Sequence, residues 1–200
     1  KKYGECNIEC AHALEDIIKK ENPDTVGSVI LESITAGGGV ILPVPEYFPI
    51  IESICRKYDV LLHIDEVVCG LGRTGQWFGY QNYDVQPDIV TTAKGLAAGY
   101  AAISVTVTTE EVFKAFKEEP ANPDSYFRDI STFGGCTAGP AAALATLNII
   151  KKENLLKNVN TVGDYLKDRL HELEEKHQII GEVRGKGLFC GLELVKDRQT

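Results

Sequence analysis

The stretch LLHIDEVVCGLGRTG, residues 61–75, and the following PDIVTTAKGLAAGY, residues 87–100, each contain an apolar run that ends in ionisable residues. The first run ends at Asp65 and Glu66, and the second ends at Lys94. Short apolar runs rich in β-branched residues and bounded by glycine-containing turns are typical of strands buried in a sheet. This stretch therefore predicts two strands of an α/β fold that end in polar loops.

The rest of the sequence alternates in the same way. Strand-like runs occupy residues 26–32, 60–65, 88–93 and 101–107. Helical spacing of apolar residues occurs over residues 50–58, in an alanine-rich segment over 141–151 after Pro140, and from Val159 to Leu173. The alternation predicts βαβ units and a mainly parallel sheet with helices on both faces.

The composition of the tail suggests a domain boundary. Residues 181–195 return to strand-like composition after the long helix. We therefore expect part of a large domain over residues 1–157, and a linking helix with the start of a smaller domain over residues 158–200. The sequence begins at Lys1 and contains no methionine, so we also expect it to be an interior segment of a longer protein.

The charge balance disfavours two classes of function. The chain has 21 lysines and arginines against 29 aspartates and glutamates, a formal charge of −8. Such a chain is repelled by nucleic-acid phosphates and by anionic membrane surfaces. The uncharged residues 130–150 approach a membrane-spanning length, but Gly134, Gly135 and Pro140 interrupt them, which favours a loop followed by a buried helix.

The six cysteines are scattered along the chain and form no paired CxxC blocks. That pattern favours reduced thiols in a cytoplasmic protein over a disulfide framework, and it predicts no metal site. No basic and apolar leader precedes the first helix-like segment, so nothing in the sequence signals export.

The ionisable residues that end the strands form the candidate site. Glu32, Asp65 and Lys94 each terminate an apolar run, and ligands of parallel α/β sheets bind beyond the carboxyl ends of the strands. We call the edge defined by these three residues the rim. Pyridoxal phosphate (PLP) requires a lysine and an acidic partner, which such a rim offers. Alternatively, the acids cap the following helix or pair with a surface lysine, and Lys94 is a solvated turn residue.

The two opening stretches together resemble the signature of class III aminotransferases. They combine an apolar strand, Asp-Glu-Val, a GxGRTG loop, Pro-Asp before the next strand, and lysine followed by a glycine turn. Three further blocks resemble the family in the same order: VILESITAGGGVILP from Val29, STFGGCTAGPAAA from Ser131, and VRGKGLFCGLEL from Val183. The resemblance implies a fold type I PLP-dependent transferase that moves amino groups between substrates.

Particular residues take roles from this resemblance. Lys94 resembles the lysine that forms the Schiff base, and Asp65 resembles the partner of the pyridine nitrogen. Val67 is similar to the side chain that packs on one face of the cofactor ring. Thr132 resembles a threonine that reaches the phosphate of a neighbouring subunit, which implies a homodimer or a higher homo-oligomer. Glu32 matches a family glutamate near the cofactor, with a capping or ion-pair role left open.

The resemblance also narrows the range of expected substrates. The ornithine-like and aminobutyrate-like branches carry an acid where this chain has Gly37. The sequence looks more like the branch that moves an amino group from an ω-amino acid or amine, such as taurine or β-alanine, to a 2-oxo acid such as pyruvate. Ser33 and the pair Cys136 and Thr137 depart from the family pattern, which implies an altered pocket.

Other chemistries remain open from the sequence. Aminomutase, decarboxylase and ornithine- or aminobutyrate-type transaminase activities would use the same core, because the cofactor supplies the electron sink. The run VLLHIDE also resembles a Walker B strand of an ATPase, but no GxxxxGK[ST] loop precedes it. A non-catalytic scaffold is the third alternative.

Two further expectations concern the surroundings of the rim. Strand alternation places His63 on the same side as Asp65, where it either tunes Asp65 or packs against a backbone carbonyl. Family members bind the cofactor phosphate and stack its ring with residues upstream, and bind the substrate carboxylate with an arginine downstream. The isolated segment is therefore expected to bind cofactor poorly and to be inactive.

Overall fold

A computed structural model describes residues 6–117, 126–127 and 129–198. Its main sheet contains β1 (Ser28–Glu32), β2 (Leu61–Asp65), β3 (Ile89–Thr92) and β4 (Val105–Thr108), in that spatial order. The first three strands run parallel, and β4 pairs antiparallel to β3. The predicted α/β class with a mainly parallel sheet is confirmed.

Helices and a hairpin complete the described fold. The α-helices are α1 (Glu9–Glu21), α2 (Tyr47–Lys57), α3 (Glu110–Lys114), α4 (Ala138–Lys152) and α5 (Leu155–Lys176). Short 3-10 helices cover Pro23–Thr25, Gly79–Asn82 and Lys94–Ala97, and the hairpin consists of β5 (Ile180–Lys186) and β6 (Phe189–Leu194). The helices predicted over residues 50–58, 141–151 and 159–173 therefore correspond to α2, α4 and α5.

The fourth predicted strand begins later than the sequence suggested. Residues 101–104 are not part of a strand, and β4 starts at Val105, which pairs with Thr92 at the end of β3. Because β4 runs antiparallel, the residues before Val105 lie beyond the end of β3 and have no strand to pair with. The prediction of a strand over residues 101–107 was wrong in its first half for this reason.

One face of the main sheet carries the hydrophobic core. Leu62 and Ile64 of β2 are fully buried against Phe48 and Ile51 of α2, and α1 adds Ala11 to the same cluster. On the opposite face of β1, Ile30 is 57% exposed.

A buried carboxylate attaches the loop after β2 to the strand. Glu66 is fully buried, and its two oxygens accept hydrogen bonds from the backbone N–H groups of Gly79 and Tyr80 at 2.6 and 2.8 Å. Burial raises the pKa of Glu66, and the Gly79 N–H group opposes that rise. The carboxylate thus fixes the start of the 3-10 helix Gly79–Asn82, which follows the glycine-rich loop over residues 70–75.

We predict that Glu66→Gln destabilises the complete protein by about 1–3 kcal/mol, because the amide NH₂ group would face a buried N–H donor. A urea titration of the complete protein measures the change in the free energy of unfolding. The matched control is Glu175→Gln on the exposed surface of α5, which should leave that free energy within about 0.5 kcal/mol of the wild type. Equal losses in the two variants would contradict the assigned role of Glu66.

Candidate active site

The register of the parallel strands brings the predicted rim residues together. Glu32 of β1 pairs directly with Asp65 of β2, and Asp65 pairs with Thr91 of β3. Lys94 follows two residues after Thr92, the last residue of β3. Three neighbouring strands therefore deliver two carboxylates and an amine to one edge of the sheet.

Asp65 presents one carboxylate oxygen without a protein partner. Its Oδ1 accepts a hydrogen bond from the N–H group of Val67 at 2.9 Å, which fixes the orientation of the carboxylate. Within the described ranges, no residue donates a hydrogen bond to the other oxygen. The side chain is half-buried, so its negative charge is partly shielded from water and available to a cationic group.

His63 lies two residues before Asp65 on the same half-buried face of β2. Its Nε2 atom lies 2.8 Å from the Thr91 hydroxyl, so it contacts a side chain rather than the expected backbone carbonyl. Partial burial lowers the pKa of His63, and the negative charge of Asp65 partly opposes that shift. His63 is therefore held in its neutral form near neutral pH.

Lys94 is exposed and opens the 3-10 helix Lys94–Ala97. Its backbone φ is 39°, in the left-handed region that side chains other than glycine adopt at a cost. Leu96 and Ala97 are buried and anchor the short helix. No carboxylate of the described chain lies within ion-pair distance of Lys94.

Val67 and Lys94 lie close to each other. Both line a cavity of about 270 Å³ together with Gly70, Leu71 and Ile150. Asp65 does not line this cavity, which lies between the glycine-rich loop and the helices α4 and α5. Val67 therefore lines the same cavity as Lys94, and its backbone N–H group donates a hydrogen bond to Asp65.

Glu32 has a local partner. Its Oε2 atom accepts a hydrogen bond from the N–H group of Ala36 at 2.8 Å. The carboxylate thus fixes the turn that follows β1, and its role near the cofactor stays a prediction. Its register with Asp65 nevertheless keeps it at the rim.

Thr132 is not brought to the rim. It lies in an exposed turn in which the Gly134 N–H group donates to the Ser131 carbonyl at 3.0 Å. Its neighbours Ile130 and Phe133 are 96% and 83% exposed. Among the described residues nothing connects Thr132 to Lys94, and its role across a subunit interface stays a prediction.

Sequence reasoning missed the roles of Glu66 and Thr91. Glu66 was noted only as the neighbour of Asp65, and its loop-fixing contacts are with residues 13 and 14 positions later. Thr91 contacts His63 across 28 positions. The only available signal was the unusual placement of polar residues inside apolar strands.

Ser33 and Cys136, at which the sequence departs from the family pattern, belong to different segments of the fold. Ser33 follows β1 and is fully buried. Cys136 is exposed just before α4.

The described residues contain neither a metal-binding cluster nor a helix that could span a membrane. No group of three or more histidine, cysteine, aspartate or glutamate side chains is arranged to hold a metal ion. None of the described helices combines the length and the apolar character that crossing a bilayer requires.

Comparison with known proteins identifies the family. The family model described as aminotransferase class-III matches residues 1–200. The chain belongs to the class-III aminotransferase family. This membership rules out the Walker B reading of the run around Asp65.

Relatives within the class-III aminotransferases share much of the sequence. The chain is 63% identical over 198 residues to a taurine–pyruvate aminotransferase of Rhodobacter capsulatus, covering 99% of the chain and 42% of that protein. It is 60% identical over 202 residues to a taurine–pyruvate aminotransferase of Bilophila wadsworthia, covering 100% of the chain and 44% of that protein. The chain thus spans less than half the length of these curated relatives.

Solved structures of aminotransferases share the fold. An aminotransferase of Bacillus anthracis superposes with a TM-score of 0.91 at 40% identity, covering 96% of this chain and 42% of that one. A taurine:2-oxoglutarate aminotransferase of Bifidobacterium kashiwanohense, in complex with PLP and glutamate, superposes with a TM-score of 0.87 at 34% identity. That match covers 94% of this chain and 41% of that one.

We predict that His63 titrates below 6.5 in the complete protein and that Asp65→Asn lowers its pKa further. The reason is that Asp65 stabilises the protonated imidazole, while burial disfavours it. Histidine resonances followed by NMR against pH measure both shifts. Asp164→Asn on α5 is the control, and a rise of the His63 pKa in Asp65→Asn would contradict the coupling.

The same shift predicts a pH dependence of stability. Folding lowers the pKa of His63, so between the folded and unfolded pKa values of His63 the unfolded chain binds more protons than the folded one. The free energy of unfolding therefore falls as the pH drops from 7 through the range between these two pKa values. His63→Gln should remove this part of the acid sensitivity. Thermal unfolding of both proteins between about pH 7 and pH 5 checks it, and identical acid profiles would show that His63 is not responsible.

Proposed function

We propose that the complete protein is a PLP-dependent aminotransferase that moves the amino group of taurine, or of a related ω-amino acid or amine, to pyruvate. The observation that carries this proposal is the placement of Lys94 and Asp65 at the ends of adjacent parallel strands, each without an ion-pair partner in the described chain. The names of relatives 60–63% identical to the chain support the choice of substrates.

The chemistry of the donor set fits PLP. The cofactor has an aldehyde that reacts with a primary amine and a pyridine nitrogen that requires an acid. Lys94 supplies an exposed amine, and Asp65 supplies a carboxylate with one oxygen left open to a donor. Because no ion pair joins Lys94 to Asp65, the two groups do not neutralise each other.

Each residue then has a defined task. PLP, when bound, supplies an electron sink for the carbon that carries the amino group. The Asp65 carboxylate, oriented by the Val67 N–H group, would hold the ring nitrogen in its protonated form. The Lys94 amine would hold the cofactor through its aldehyde and would move the proton of the amino-bearing carbon.

The surroundings of Lys94 favour that proton transfer. Val67, which lines the same cavity as Lys94, would pack on the face of the ring and exclude water from it. Neutral His63 adds no positive charge that would compete for the Asp65 carboxylate. Glu32 would act at the rim through the turn that it fastens.

We also propose that the active form is a homodimer in the cytoplasm. The exposure of Thr132, Ile130 and Phe133 in one segment supports contact with a second subunit, whose cofactor phosphate Thr132 would bind. We further propose that residues 1–157 belong to the large domain and residues 158–200 to the linking helix and the start of the small domain.

A second acceptor is favoured by a specific observation. The Bifidobacterium kashiwanohense structure is of a taurine:2-oxoglutarate aminotransferase. Its identity to this chain is 34%, against 63% for the taurine–pyruvate enzyme of Rhodobacter capsulatus. We therefore place pyruvate first and 2-oxoglutarate second as acceptor.

We predict that the complete protein reconstituted with PLP shows an absorbance band near the visible region and that Lys94→Ala abolishes it. The loss follows because, among the described residues, Lys94 is the lysine that follows the end of β3. Lys114→Ala on α3 is the control and should keep the band, since Lys114 lies on an exposed helix away from the rim. A band that survives in Lys94→Ala would overturn the assignment of Lys94.

We predict that taurine with pyruvate gives alanine faster than the other donor and acceptor pairs. The panel consists of taurine, β-alanine, putrescine, ornithine and aminobutyrate, each with pyruvate and with 2-oxoglutarate. Amino acid analysis of the products measures the rates. Faster product formation from ornithine or aminobutyrate with 2-oxoglutarate would reject the proposed branch.

A further inference from the structure

The turn over residues 36–39 follows β1 beside the rim, and its shape depends on contacts from outside the turn. It is closed by the bridge between Thr35 and Ile41, whose N–H groups bond each other's carbonyls at 3.2 and 3.1 Å. Residues 37–39 are all glycine and all exposed. Glycine has the largest backbone freedom, so a turn of this composition needs outside contacts to keep one shape.

One outside contact comes from the rim itself. The Ala36 N–H group donates to Glu32 Oε2 at 2.8 Å, and Glu32 pairs in register with Asp65. The first residue of the turn is therefore tied to the strand that adjoins Asp65. A shift of the turn would therefore move the N–H group that holds the Glu32 carboxylate beside Asp65.

The other contact comes from the β5–β6 hairpin, 145 positions away in sequence. Arg184 donates from Nε and Nη2 to the Gly39 carbonyl at 3.1 and 3.0 Å. Its remaining nitrogen, Nη1, donates to the carboxylates of Glu182 and Glu193. Because all three guanidinium nitrogens are engaged, and the Arg184 side chain is only 18% exposed, the fork is fixed in one orientation.

The backbone of the hairpin is shaped for the same contact. Gly191 pairs directly with Arg184 across the hairpin. A Cβ atom at Gly191 would lie 3.1 Å from Val40 Cγ2 and 3.2 Å from the Gly39 carbonyl oxygen. The missing side chain therefore lets the turn lie against the hairpin where Arg184 holds it.

We propose that Arg184 is a positioning residue of the active site, which holds the Gly39 carbonyl and so sets the turn over residues 36–39 for binding of the amino donor. This inference rests on the proposed aminotransferase function, because it is the donor that would bind beside the turn. The hydrogen-bond partners of Arg184 in the described chain are Gly39, Glu182 and Glu193. It acts from the proposed small domain on the rim of the large domain.

The geometry distinguishes this role from a simple staple of the hairpin. A staple would need only the bonds of Arg184 to Glu182 and Glu193, which lie within β5 and β6. Two of the four bonds instead go to a single carbonyl in the glycine turn. Loss of Arg184 should therefore loosen the turn and raise KM for the donor, while the proton transfer by Lys94, and with it kcat, is largely kept.

The test compares Arg184→Met, Arg184→Lys and Gly191→Ala in the complete protein, with Arg169→Met as the control. Arg169 bonds only locally to Glu172 on α5. The first readout is hydrogen exchange of the Ala36 and Ile41 amides without substrates. The second is the separate measurement of KM and kcat for the donor identified by the panel.

We expect Arg184→Met to speed exchange of the Ala36 amide by about tenfold and to raise donor KM by about tenfold, with kcat within about twofold of the wild type. Arg184→Lys should show smaller increases in the Ala36 exchange rate and in the donor KM, because one ammonium N–H group can still donate to the Gly39 carbonyl. Gly191→Ala should act like Arg184→Met although Arg184 is intact. Arg169→Met should change neither readout.

Unchanged exchange and unchanged KM in Arg184→Met would overturn the proposal. So would a lower melting temperature with unchanged donor KM, since that is the result for a staple of the hairpin. If the wild-type protein transaminates no donor, the proposed function fails, and exchange of the Ala36 amide still decides whether Arg184 holds the turn.

Discussion

In-register parallel pairing of β1, β2 and β3 is the constraint on which the site depends. Because parallel strands end at the same edge, the pairing of Glu32 with Asp65 and of Asp65 with Thr91 fixes the order of the functional groups. A shift by one residue would move Asp65 to the face that carries Leu62 and Ile64, where an unpaired carboxylate would be buried in the core. The apolar core thus enforces the register that the chemistry needs.

The consecutive carboxylates Asp65 and Glu66 show how one strand end serves both ligand binding and the attachment of the following loop. Alternation sends Asp65 towards the open face and Glu66 into the protein. Asp65 keeps an oxygen for a ligand, whereas both oxygens of Glu66 are used by backbone N–H groups of the loop. The same functional group is therefore a binding group in one position and a structural bond in the next.

The sequence was sufficient for the features that depend on local pattern. The apolar runs located β1, β2 and β3, and their polar ends located Glu32, Asp65 and Lys94. Contacts between distant segments were beyond it: the antiparallel direction of β4 is set by pairing with β3, and Arg184 reaches Gly39 across 145 positions. The helix α1 was also missed, although it contributes Ala11 and Ile18 to the core. The roles of Thr132 and of the domain boundary stay predictions.

The positive backbone φ of Lys94 limits which substitutions this position can accept. Its φ of 39° favours glycine or asparagine, whereas the proposed chemistry requires a primary amine at that point. A substitution that relieves the local strain would remove the reactive group. Selection for greater stability therefore cannot act at this position while the activity is under selection, and stabilising substitutions must accumulate elsewhere in the chain.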